Sequence, residues 1–70
     1  MERVTLNSTS VALVGYDPDA GILEVEFTGG SVYEYYQVPK PIFDGLVSAP
    51  SPGHYMATKV KDVYRYRRIR

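Results

Sequence analysis

Ile22-Leu23-Glu24-Val25-Glu26-Phe27-Thr28-Gly29-Gly30-Ser31-Val32-Tyr33-Glu34-Tyr35-Tyr36-Gln37-Val38-Pro39 is the stretch that decides the fold. Leu23, Val25 and Phe27 alternate with Glu24 and Glu26, the period-two pattern of a half-buried strand. Gly29-Gly30 turns the chain back, because glycine reaches positive φ without a steric penalty. Ser31 to Gln37 reads as the returning strand. The register across the turn matters, since a slip of one residue moves every side chain to the other face. A two-residue loop would pair Thr28 with Ser31 and put Glu34 on the face of Leu23, Val25 and Phe27, where an unpaired charge costs several kcal/mol. A three-residue loop instead puts Tyr33 and Tyr35 on that apolar face and gathers Glu24, Glu26 and Glu34 on the opposite one. The three-residue loop is therefore expected, with Tyr33 and Tyr35 as core and Tyr36 exposed on the glutamate face. A row of like charges then calls for cationic neighbours.

Upstream, Ser10 to Asp17 reads as another strand, rich in β-branched and aromatic residues and closed by the turn Asp17-Pro18-Asp19-Ala20-Gly21. Downstream the periodicity becomes helical. Pro41 suits a first turn, and Ile42, Phe43, Leu46, Val47 and Ala49 form one apolar stripe that Pro50 ends. Gly45 weakens that helix by about 1 kcal/mol relative to alanine. Ser51-Pro52 has the form of an N-cap followed by proline, opening a second short helix to about residue 61 with Met56 and Val60 inward. The tail Val63-Tyr64-Arg65-Tyr66-Arg67-Arg68-Ile69-Arg70 alternates aromatic and cationic residues in its first half, which is strand-like.

Seventy residues allow one domain at most, with a single small core. There is no cysteine, so neither a disulfide nor a thiolate metal site is available. No apolar run approaches a membrane span, and Met1-Glu2-Arg3 leads into no signal-peptide core. A cytoplasmic protein with no membrane partner is expected. The formal net charge is zero but unevenly spread. Lys59, Lys61, Arg65, Arg67, Arg68 and Arg70 stand against Asp62 alone at the C-terminal end, and the preceding residues carry the balancing acidic surplus. That asymmetry fits a polyanion bound at one end, and equally a basic tail folded against the acidic sheet face.

Catalytic constellations are weak. His54 is the single histidine, and a metal site around it would need carboxylates from the acidic strands. Ser8, Ser10 and Ser51 lack a base and an oxyanion site. Ser51 is better used as a helix cap, and Ser8 and Thr9 as ties for the backbone at a strand entry. Glu24, Glu26 and Glu34 on an open sheet face have nothing to separate their pKa values. No catalytic residue, metal or small-molecule cofactor is expected. The aromatic–basic tail is the strongest functional pointer, because arginine forks bind phosphate and tyrosines offer stacking faces for unpaired bases. The candidate nucleic-acid contacts are Lys59, Lys61, Arg65, Arg67, Arg68 and Arg70, with Tyr36, Tyr55 and Tyr66 as stacking residues.

Set in order, Ser8-Thr9, Val14-Gly15-Tyr16-Asp17, Leu23-x-Val25-x-Phe27-x-x-Gly30-x-x-Tyr33-x-Tyr35-x-x-Val38-Pro39, Ala49-x-Ser51-x-Gly53-x-Tyr55 and Tyr64-x-Tyr66-x-x-Ile69 resemble the KTSC domain, a small module named after the C-terminus of some lysyl-tRNA synthetases. The resemblance runs from Asn7 to Ile69, and the ordered series rather than any one piece makes it specific. Met56-Ala57 and Val60-Lys61 depart from the family pattern of an aromatic with asparagine and of Ile-Arg. The resemblance implies a compact α+β domain, free-standing or appended to a synthetase, with RNA binding suggested through that association and no established activity.

The expectation is one α+β domain over residues 1–70, its core at about residues 7–69. It is a small antiparallel sheet, a three-strand meander with the tail as fourth strand, and one or two short helices pack on one face. The expected core is Val14, Leu23, Val25, Phe27, Tyr33, Tyr35, Ile42, Phe43, Leu46, Val47 and Met56. The leading expectation is a non-catalytic module binding RNA or tRNA through the basic tail; the alternative is a protein-interaction or accessory module with no nucleic-acid role, using a sheet edge or the Tyr/Arg-rich end.

Overall fold

The computed structural model describes residues 2–70. Five strands, β1 (Glu2–Thr5), β2 (Val11–Asp17), β3 (Ile22–Phe27), β4 (Val32–Tyr35) and β5 (Tyr66–Arg68), form one antiparallel meander in sequence order. Between β4 and β5 lie α1 (Lys40–Ser48) and α2 (Pro52–Tyr55), the latter running on into a π-helical turn, Met56–Val60. Among the described residues no helix is long and apolar enough to cross a membrane.

The β3–β4 turn has the three-residue form. Leu23 faces Tyr35, Glu24 faces Glu34 and Val25 faces Tyr33. The Phe27 amide donates to the Ser31 carbonyl at 2.9 Å, leaving Thr28, Gly29 and Gly30 as the loop. Gly30 takes φ +99°, a conformation open to glycine. One face of β2–β4 therefore carries Val14, Leu23, Val25 and Tyr35, all buried, and the helices pack on that side.

The sheet is larger than the four strands expected. β1 is only four residues long and pairs Arg3 with Gly15 and Val4 with Val14, an edge strand too short for its periodicity to stand out. In β2 the register shifts between Val11 and Leu13, so Ala12 is an extra, bulged residue. The bulge lets Val11 and Val14 both point into the core, although their odd spacing would put them on opposite faces of a regular strand. β5 is shorter than the tail alternation suggested, and Tyr64 packs half-buried against the core from the loop before it.

Seven of the expected core residues are buried, and Phe27, Tyr33, Ile42 and Val47 are half-buried against them. Val11, Tyr16, Val32, Val38 and Val60 complete the buried hydrophobic core residues. Tyr16 stacks on Phe43 with ring centroids 5.2 Å apart, and its hydroxyl donates to the Val38 carbonyl, tying α1 to the sheet.

The second helix starts as its sequence indicates, with the His54 amide donating to the Ser51 hydroxyl oxygen at 3.3 Å. The Tyr55 hydroxyl donates to the Ile42 carbonyl at 3.0 Å, which lays its ring directly over Gly45. A Cβ at position 45 would come within 2.9 Å of the Tyr55 Cζ. Gly45 is thus the place where two helices touch, and its cost in helix propensity is offset by that contact.

Gly45→Ala should destabilise the protein in urea unfolding. The gain of about 1 kcal/mol in helix propensity is outweighed by overpacking of about 1–3 kcal/mol. In a Tyr55→Ala background the same change should instead stabilise, because the ring is gone. Equal effects in the two backgrounds would contradict the contact.

Candidate nucleic-acid interface

Alternation along β4 and β5 divides the C-terminal half of the sheet into two unlike surfaces. On one, Glu34 lies between Glu24 on β3 and Arg67 on β5. Arg3 reaches Glu24 across Gly15, which has no side chain to obstruct it, with Nη2 3.0 Å and Nε 3.1 Å from Oε1. Arg70 pairs with Glu26 at 3.4 Å. The Tyr36 hydroxyl donates to Glu34 at 3.0 Å. Partial desolvation and then this bond hold the Tyr36 phenol above its usual range, while Arg67 nearby pulls the other way. The glutamate row is therefore met by arginines at both ends, and each carboxylate has its own partner or facing cation.

The other surface is aromatic. Tyr33 and Tyr35 lie side by side on β4, ring centroids 6.3 Å apart and 21° from parallel. Tyr66 stands opposite Tyr35 on β5, 5.6 Å from the Tyr33 ring and 5.8 Å from that of Tyr35, and Phe27 meets Tyr33 edge-on at 5.6 Å. The rings grade from closed to open: Tyr35 is 5% exposed, Tyr33 is half-buried and Tyr66 is 58% exposed. Burial, then the neighbouring Tyr33 and Tyr66 phenols, push the Tyr35 phenol above its usual value. Phe27, Ser31, Tyr33, Tyr35, Lys61, Asp62 and Tyr66 enclose a cleft of about 380 Å³. Arg68, opposite Tyr33 in register, donates from Nη2 to the Ser31 hydroxyl at 3.1 Å. The cleft thus combines stacking faces, two cations and hydroxyl and carboxylate groups.

Residues 7–66 match the family model of the KTSC domain. The chain belongs to the KTSC domain family. The crystal structure of a KTSC domain protein from Yersinia pestis superposes with a TM-score of 0.91 at 31% identity, over 99% of this chain and 97% of that one. An uncharacterised protein from Stutzerimonas stutzeri is 44% identical over 70 residues, 99% of each chain. A lysine–tRNA ligase from Nostoc sp. is 37% identical over 54 residues, which are 77% of this chain and 10% of the ligase.

In this KTSC domain the motif residues divide into staples and cleft. The Ser8 hydroxyl accepts from the Ser10 and Val11 amides, both at 3.3 Å, and fixes the entry to β2. Gly53 abuts the Ser10 hydroxyl, which a Cβ there would force to shift, so the second helix lies close against that entry. Tyr33, Tyr35 and Tyr66 make the cleft.

The nine residues singled out for nucleic acid do not converge. Lys61, Tyr66 and Arg68 meet at the aromatic cleft. Arg67 faces Glu34 on the other surface, and Arg70 is paired with Glu26 there. Arg65 is exposed just before β5, its carbonyl accepting from the Tyr36 amide at 2.9 Å. Lys59 borders a separate hollow with His54 and Thr58. Tyr36 is engaged by Glu34, and Tyr55 is held over Gly45, so neither ring joins the cleft. Sequence reasoning misses Phe27, Ser31, Tyr33, Tyr35 and Asp62 as cleft residues. It gives Tyr33 wholly to the core because its inward face is legible, whereas the lateral extent of the helices is not.

The raised Tyr35 phenol gives a pH dependence with a definite sign. Unfolded, Tyr35 ionises near its ordinary value of about 10; folded, it ionises later. Its contribution is intact below about pH 10 and is lost as pH rises through the folded value. Urea midpoints measured across that alkaline range should fall less steeply for Tyr35→Phe than for the parent protein, and parallel curves would contradict this.

Proposed function

We propose that this KTSC domain is a non-catalytic RNA-binding module that engages an unpaired RNA segment, a tRNA included, at the β4–β5 aromatic cleft. The observation that carries the reading is the cleft where half-buried Tyr33 and exposed Tyr66 adjoin the buried Tyr35, with Lys61 and Arg68 beside it. Aromatic faces bind bases with little regard to sequence, and flanking cations take the backbone. Similarity to part of a lysine–tRNA ligase supports the same direction. The charge pattern narrows the site. Arg3, Arg67 and Arg70 are turned toward glutamates, so phosphate contacts fall to Lys61 and Arg68, with Arg65 exposed nearby. Zero net charge over the chain then implies modest affinity that salt weakens gently.

A second reading rests on a separate observation. β5 is an edge of the sheet, and Val63, Tyr66 and Ile69 are exposed around it, which suits a partner strand added by main-chain pairing. Arg67 and Arg68 on the same short strand work against such pairing.

Anisotropy of a short labelled single-stranded RNA, and of a tRNA, tests the choice. Binding should be measurable at low salt. Lys61→Ala with Arg68→Ala should weaken it and flatten the salt slope by roughly 1.4, about 0.7 for each phosphate of a single strand that is no longer neutralised. Lys40→Ala should leave it unchanged. Absence of binding at low salt, where phosphate contacts are strongest, would contradict the RNA reading.

A further inference from the structure

Asp62 is the one acidic residue in a basic segment, and phosphate binding gives it no role. It lines the aromatic cleft beside Lys61 and holds a left-handed backbone, φ +65°. Asp tolerates that region better than most residues, but the conformation is uncommon outside glycine and marks a turn worth explaining. The ion pairs among the described residues join Arg3 to Glu24, Lys40 to Asp44 and Arg70 to Glu26, and leave the Asp62 carboxylate out. An ionised carboxylate only accepts hydrogen bonds, and it accepts best from two adjacent donors.

We infer that the cleft is a subsite for one unpaired guanine, stacked on the exposed Tyr66 ring beside Tyr33, with its N1–H and N2–H₂ donors on Asp62. This inference rests on the RNA reading above and specifies the base. Guanine alone among the four bases presents two neighbouring N–H donors along its pairing edge. Adenine, cytosine and uracil each oppose an acceptor to the carboxylate. The Ser31 hydroxyl already accepts from Arg68, so its own proton is free for an acceptor on the base. Lys61 and Arg68 lie close enough to the cleft for the adjoining phosphates. A volume of about 380 Å³ suits an occupant the size of a single base with part of its sugar.

The test compares uridine oligonucleotides carrying a single central guanine, adenine or uridine, at low salt. The guanine oligonucleotide should bind roughly fivefold to a hundredfold more tightly than the adenine one, the range of a single bidentate contact. Asp62→Asn should erase that preference while keeping binding. Tyr66→Ala should weaken all three at least roughly fivefold, and Tyr66→Phe, which keeps the ring, should retain them. Both positions are exposed, and circular dichroism of each variant confirms its fold. Equal affinity for the three oligonucleotides, with Tyr66→Ala still weakening them, would overturn the guanine subsite and leave RNA binding standing. Guanine preference unaffected by Asp62→Asn would also overturn it. If no oligonucleotide binds, both readings fall together.

Discussion

The loop Thr28-Gly29-Gly30 fixes which face of β4 each side chain occupies, and the rest of the C-terminal half follows from that register. It sets Glu34 directly across from Glu24, an unfavourable pairing by itself. β5 relieves it by bringing Arg67 opposite Glu34, as Arg3 does for Glu24 from the far side. Strand alternation then leaves no choice for the neighbours of Arg67. Tyr66 and Arg68 must emerge on the opposite surface, beside Tyr33 and Tyr35. The charge balance of one face thereby assembles the aromatic cleft on the other.

Coverage decides how much of that cleft stays open. Five strands about 4.8 Å apart make a sheet wider than one helix of about 10 Å can cover. Here the nine residues of α1 dock over β2 through Tyr16 and Phe43, and the second helix leans on α1 through Gly45 and Tyr55. Tyr35 is buried within the core cluster, and Tyr66 at the edge is not. The same face of the sheet is core over β2 and β3 and an open aromatic cleft by β5. A side chain such as Tyr33, at the boundary, serves both.

Much of this is legible in the chain, for identifiable reasons. Burying Glu34 is so costly that the hairpin register can be deduced from Glu24, Glu26 and Glu34 alone, and the structure has that register. Ser51-Pro52 announces a cap that forms as expected. Features set by tertiary contact are not legible. β1 has too few residues for a period, the bulge at Ala12 defeats simple alternation, and the π-helical turn at Met56–Val60 has no local signature. The basic tail reads as one surface only while proximity along the chain stands in for proximity in space. A strand separates neighbours onto opposite faces, so Arg67 goes to the glutamates and Arg68 to the tyrosines.

The surface proposed to meet RNA is the open aromatic cleft rather than the basic tail as a whole. Amide chemical-shift mapping of isotope-labelled protein with a short single-stranded RNA tests it most directly. Shifts should concentrate at Ser31, Tyr33, Lys61, Asp62, Tyr66 and Arg68, with Arg3, Lys59 and the β1–β2 strands unmoved. Shifts spread evenly over residues 59–70, or a spectrum unchanged at low salt, would contradict it.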